Sequence, residues 1–197
     1  AVRAVYDALG VDCGLLSSSA AAWFGDARPA RFVEAVDSPV TRRLTVGGQS
    51  VAVIFFPPLS VGGTRESETP TPKLLAAVLA AADAASDATV RIGVSPWGFE
   101  GEYAVRQALE QRFHVLLGAG PGAPFAAEVN AQAPGLLWSR ADRDGRSVMV
   151  IDLLALPQPG EPFAWEWGLT MQAKEVRLTS DIPSDPRMEA ILAEASR

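Results

Sequence analysis

The segment TVRIGVSPWGFEGEYAVRQALEQRFHVLLG, residues 89–118, decides how this chain folds. It opens on TVRIGVS (89–95), a β-rich apolar run closed by Pro96. From Glu100 to Phe113 the residues Tyr103, Val105, Ala108, Leu109 and Phe113 recur at helical spacing. HVLLG (114–118) is a second apolar run. Strand, helix and strand in so short a span form a βαβ unit, which implies a parallel pair with a right-handed crossover.

Upstream, Lys73–Ala85 is an alanine- and leucine-rich helix feeding the first of these strands. Ahead of it SVGGTRESETPTP (60–72) is polar and rich in breakers, a surface loop expected to be mobile and open to proteolysis. TRRLTVGGQSVAVIFF (41–56) reads as a hairpin about GGQ, ended by Pro57 and Pro58. Near the start, Val2, Val5 and Leu9 share a helical face that Gly10 closes. The strand VDCGLL (11–16) then runs into a small-residue loop, SSSAAAWFG (17–25).

Downstream, LLWSRADRDGRSVMVIDLLAL (136–156) has two apolar runs about DRDG and reads as an antiparallel hairpin. FAWEWGLTMQAKEVRLT (163–179) adds one or two alternating strands, with Trp165 and Trp167 on one face and Glu166 on the other. Residues 185–196 form a short helix introduced by Ser184, Asp185 and Pro186. The fold class is α/β, with mixed sheets and flanking helices in a single domain over 1–197. The chain opens inside a helical pattern, AVRAVYDALG, and is expected to be a mature form or a fragment.

Composition limits the chemistry. Across 197 residues, 48% hydrophobic and 20% charged content is that of a globular chain with a real core. Seventeen basic against twenty-three acidic residues give a net charge of −6, which argues against a nucleic-acid surface. One cysteine permits no internal disulfide, and one histidine excludes sites built on two imidazoles. The apolar windows are all broken by charge, Gly or Pro, so no membrane span and a soluble chain are expected.

Three segments stand at the carboxyl ends of expected strands, where ligands gather in open α/β sheets: 17–25, 95–102 and 118–125. GAGPG (118–122) invites a phosphate-binding reading, but it is neither GxGxxG nor a P-loop, and Pro121 lacks an N–H. A tight structural turn explains it better. Ser17, Ser18 and Ser19 are nucleophile candidates only if a base is near. His114, the one imidazole, stands at the opposite end of its strand and reads as a structural histidine. Cys13, within an apolar run, reads as a small core residue. Asp26, Glu100 and Glu102 are candidate carboxylates, although a helix start explains the last two equally well. Trp97, Trp165 and Trp167 offer stacking surfaces, for which packing is the commoner use. No catalytic constellation, metal site or cofactor site assembles from these residues.

Taken in order, ALGVDCGLLSSSAAAWFG (8–25), VGGQSVAVIFFPP (46–58), IGVSPWGFEGE (92–102) and HVLLGAGPGAPF (114–125) follow a family pattern. The chain resembles the metallophosphoesterase superfamily, in particular its 5′-nucleotidase-like branch. That pattern runs from a strand closing in GNH, through a strand ending in SHxG, to a strand followed by GGHxH. VRLTSDIPSDPRMEAILAE (176–194) is similar to the segment that closes those catalytic domains. The resemblance implies a layered α/β/β/α fold and an earlier segment, carrying DxH and GD motifs, that would precede Ala1.

The departures fall on the metal ligands that the resemblance implies. Ser18 and Ser19 stand near the Asn and His of GNH, Pro96 replaces the histidine of SHxG, and Gly120 and Gly122 replace those of GHxH. His114 falls at an aspartate outside the ligand set. The family's two metal ions need imidazole and carboxylate ligands, which Ser, Pro and Gly do not supply. The resemblance therefore implies a non-catalytic homologue, a binding or interaction module with no metal. Its cleft would be lined by Ser17, Ser18, Ser19, Ser95, Pro96, Trp97, Gly118, Gly120 and Gly122. Its partner would be a small molecule or a protein, and the resemblance is compatible with a periplasmic location. Two alternatives stand beside it: a phosphoester hydrolase with an altered site completed upstream of Ala1, and an assembly protein that pairs copies through an open sheet edge.

Overall fold

The parallel strands read from residues 89–118 form the middle of the main sheet. In a computed structural model, residues 2–61, 64–65, 69–131, 133–142, 146–158 and 161–195 are described. The elements in chain order begin with α1 (Val2–Ala8), β1 (Gly14–Leu16), α2 (Ser18–Phe24), β2 (Phe32–Glu34), β3 (Val40–Val46) and β4 (Gln49–Phe55). There follow β5 (Ser60–Val61), β6 (Thr64–Arg65), α3 (Pro72–Asp83), β7 (Val90–Ser95), α4 (Gly98–Glu110) and β8 (Val115–Gly118). The last are β9 (Phe125–Asn130), β10 (Ala133–Arg140), β11 (Ser147–Leu153), β12 (Met171–Arg177) and α5 (Pro186–Ala195). They divide into two compact units, Ala1–Ala35 with Thr179–Arg197, and Val36–Leu178.

The larger unit holds a six-stranded mixed sheet in the order β3-β4-β7-β8-β10-β9. Its four central strands are parallel, and β3 and β9 run antiparallel at the edges. Central strands must be apolar on both faces, and the period of two divides their side chains cleanly. Ile54, Leu116, Leu136 and Trp138 point to one face, where they meet Val78 of α3 and Leu109 of α4. Val90, Val115 and Leu137 point to the other, where Met171 and Ala173 of β12 cover them with Trp165. The result is one layer of helices, one six-stranded sheet and one two-stranded sheet. Each fully buried large side chain here contributes on the order of 1.5–3 kcal/mol.

Local chemistry sets the element ends. Thr71 caps α3, its Oγ1 accepting from Leu74 N at 3.2 Å, with Pro72 in the first turn. The β3–β4 hairpin turns on Gly47 and Gly48, with φ of +57° and +80°, the positive pair that a two-residue turn requires. In the smaller unit β1 and β2 pair in parallel and α1 packs against α5. Tyr6 lies 4.8 Å from the Phe32 ring, and Gly14 leaves room for that ring.

The structure corrects several expectations. Residues 17–25 are mostly helix: Ser17 caps α2, its Oγ accepting from Ala20 N at 3.2 Å, and the alanine run continues the helix. Cys13 lies just before β1, half-buried, because only Gly14–Leu16 pair with β2. The two apolar runs of 136–156 do not pair with each other. Strand β10, buried on both faces, slots between β8 and β9, and β11 pairs with β12 instead. Trp165 and Trp167 do not share a face, because residues 162–166 form no strand and the alternation of a strand does not apply to them. Trp165 is buried and Trp167 is 65% exposed. Of the loop expected over 60–72, residues 62–63 and 66–68 lie outside the described residues, as do 143–145 of the expected DRDG turn. The rest of that loop holds the β5–β6 pair and the cap of α3. Among the described residues no helix is long and apolar enough to cross a membrane.

Candidate functional site

The carboxyl ends of β7, β8 and β10 converge, and they bring together Ser95, Pro96, Trp97, Gly118, Gly120 and Gly122. Ser95 ends β7 fully buried, its Oγ accepting from Trp97 N at 3.2 Å. The Trp97 indole turns inward, donating Nε1–H to the Pro57 carbonyl at 2.7 Å, with its ring 4.8 Å from Phe56. Buried indoles need such an acceptor, and here the backbone at the end of β4 supplies it. Trp97 is therefore a core residue with no face left for a ligand.

The two loops are laced together by backbone. Ala119 N donates to Ser95 O at 2.8 Å, Gly98 N to Ala119 O at 3.0 Å and Phe99 N to Pro121 O at 2.8 Å. The leading N–H groups of α4, a natural anion site, are thus spent on carbonyls of the neighbouring loop. A Cβ at Gly120 would stand 2.9 Å from Pro96 O. One at Gly122 would overlap Phe99, and one at Gly118 would overlap the Glu102 carboxylate. Gly120 and Gly122 also have φ of +83° and +122°, which disfavours any side chain there.

Beneath the loops lies a charged knot. Arg140, the last residue of β10, and Glu102, in the second turn of α4, are both essentially unexposed. Arg140 Nη1 donates to Glu102 Oε2, which also accepts from Trp138 Nε1 at 2.9 Å. Arg140 Nη2 reaches the carbonyls of Ala119 (3.3 Å), Gly120 (3.2 Å) and Pro121 (3.0 Å), and Nε that of Ala123 (3.3 Å). Burial pushes the Glu102 carboxyl above its ordinary range, while Arg140 and Trp138 hold it back. The guanidinium spends its donors binding the 119–123 loop to the sheet, not on a ligand.

The residues outside this knot take other roles. Ser17, Ser18 and Ser19 belong to the smaller unit; Ser17 is the cap of α2 and its Oγ is 3.0 Å from that of Ser19. Asp26 lies in a short turn of the same unit, and Glu100 in the first turn of α4. His114 precedes β8, at the opposite end of the sheet from the loops. Its Nδ1 accepts from Arg91 N at 3.1 Å, and its carbonyl accepts from Trp165 Nε1 at 2.7 Å. Burial, then the Arg91 charge, lowers its pKa to about 4, so the ring is neutral at pH 7. Sequence reasoning singled out Glu102 but missed Arg140. The signal was there: an arginine ending the apolar run LLWSR (136–140) needs a buried partner.

No family model matches this chain, and no curated protein matches it. Among solved structures it is similar to a hypothetical protein from Thermus thermophilus, with a TM-score of 0.48 and 18% identity. The match covers 70% of this chain and 55% of that one, so the chain spans about half the length of that protein.

The donor set fits no two-metal centre. At the positions that the resemblance equates with ligands stand Ser18, Ser19, Pro96, Gly120 and Gly122, none of which offers an imidazole or a carboxylate. Among the described residues no three His, Cys, Asp or Glu side chains group as metal ligands. What the 95–122 region does chemically is hold itself shut.

Proposed function

We propose that this chain is a non-catalytic binding or interaction module on a metallophosphoesterase-like scaffold with α/β/β/α layering. One observation carries this reading: the 95–99 and 118–122 loops close on each other by backbone contact, over a buried Arg140–Glu102 pair. A hydrolytic centre of that family would need open space and ligating side chains at the same place. Here glycine is sterically required where the resemblance would put histidine. Turnover of bis-(p-nitrophenyl) phosphate with added manganese, zinc or iron, together with elemental analysis of the purified chain, tests the reading. We expect substoichiometric metal and no turnover above the free ion. Metal-dependent hydrolysis that a chelator abolishes would overturn it. Gly120→His is expected to destabilise the chain without creating a metal site, since the added Cβ meets Pro96 O.

A further inference from the structure

At the amino ends of β7 and β8, away from the closed loops, lies a cavity of about 370 Å³ whose lining includes Arg91, His114, Glu110, Glu161, Phe113 and Phe163. Two of its groups face each other in a way that neither can satisfy. The Arg91 backbone N–H donates to His114 Nδ1 at 3.1 Å, so Nδ1 carries no proton and the proton of the neutral ring is on Nε2. Arg91 Nη2 stands 3.4 Å from that same Nε2. A guanidinium has donors only, and this imidazole nitrogen is also a donor. Two N–H groups thus converge without an acceptor, and among the described residues none bonds to either.

We infer that the pair is a recognition site for a small monocarboxylate whose oxygens accept from Arg91 Nη2 and His114 Nε2. The donors are held in advance: Arg91 Nε donates to the Arg112 carbonyl at 2.5 Å, and the His114 ring is fixed through Nδ1. Charge selects the class of anion. Arg91 is the one cation among the described lining residues, and Glu110 and Glu161 line the same space. Glu110 already pairs with Arg106 at 3.2 Å. A single negative charge is tolerated beside those carboxylates, whereas a phosphate dianion is repelled. Phe163, half-buried at the rim, offers an apolar surface to the body of the ligand, a common division of labour in small-molecule sites. The neutrality of His114 at pH 7 agrees with the donor assignment.

The chain contains one histidine, so its imidazole resonances need no assignment. Long-range 1H–15N correlation spectra at pH 7 report the tautomer and its response to benzoate, acetate and inorganic phosphate. We expect the Nε2–H tautomer, a saturable shift with the carboxylates and a weaker response to phosphate. Arg91→Gln should weaken carboxylate binding by about tenfold or more, the worth of a charge-assisted hydrogen bond. An Nδ1–H tautomer, silence with both carboxylates, or a phosphate response as strong as theirs would overturn the inference. If Arg91→Gln does not fold, the wild-type titration decides alone. Metal content and phosphoesterase turnover are read separately, so this inference and the proposed function fail independently.

Discussion

At the scale of single residues, the half-buried His114 and the buried Glu102 respond to pH with opposite sign. His114 titrates near 4 in the folded chain against 6.5 unfolded, so between those values the unfolded chain binds the extra proton. Stability from this group is complete above pH 6.5 and is lost as pH falls towards 4. With allowance for the part of the ring that water reaches, the loss is about 2 kcal/mol. Glu102, raised by burial, keeps its proton in the folded state after the unfolded chain has released it, so its contribution declines as pH rises. Urea denaturation of the wild type and His114→Gln from pH 4 to 7 isolates the histidine: the variant should lack the acid-side loss. Arg140→Met removes the cation bonded to Glu102 and strands a buried carboxylate, which should cost about 3–5 kcal/mol. Adding Glu102→Met should recover much of that loss. A double-mutant cycle checks the coupling, and additive costs would refute it.

The elements depend on short sequence signals of very different clarity. Thr71→Ala should cost about 1 kcal/mol by removing the cap of α3, and Gly48→Ala a similar amount by straining a residue at φ +80°. Thermal denaturation of the two variants measures both. Thr71 was read into the 60–72 loop and its capping role was not legible, whereas the glycine turn was, because turn chemistry acts within a few residues. The βαβ unit was legible for the same reason, its strands and helix each carrying a distinct period. Partner choice was not legible. Nothing within LLWSRADRDGRSVMVIDLLAL shows that β10 joins β8 while β11 joins β12, because pairing depends on surfaces far away in the chain. Ser17 misled by composition: three serines before three alanines look like a loop, yet one hydroxyl bonded to Ala20 N starts a helix. Glycine-rich loops invited a ligand, and distance alone revealed that their openness is filled by a neighbouring backbone. The buried ion pair was half visible, since its acidic partner Glu102 was noticed and its basic partner Arg140 was not.

For the whole molecule, both apolar clusters that flank the main sheet draw only on residues 36–178. A fragment of that span should therefore fold alone, with amides of β4, β7 and β8 as slow to exchange as in the full chain. Fast exchange throughout the fragment would show that its sheet needs the remaining residues. Within this unit β9 comes before β10 in sequence but lies outside it in the sheet. That inversion imposes an order in time. A chain synthesised from its amino end completes β8 and then β9, yet the position beside β8 stays vacant until residue 140 has emerged. The β9–β10 hairpin can close on its own in about 1–10 μs, and it must then dock as a finished piece. Until it does, the edge of β8 offers its unpaired amides and carbonyls to any passing strand, so the interval before docking is when this chain is most prone to aggregate.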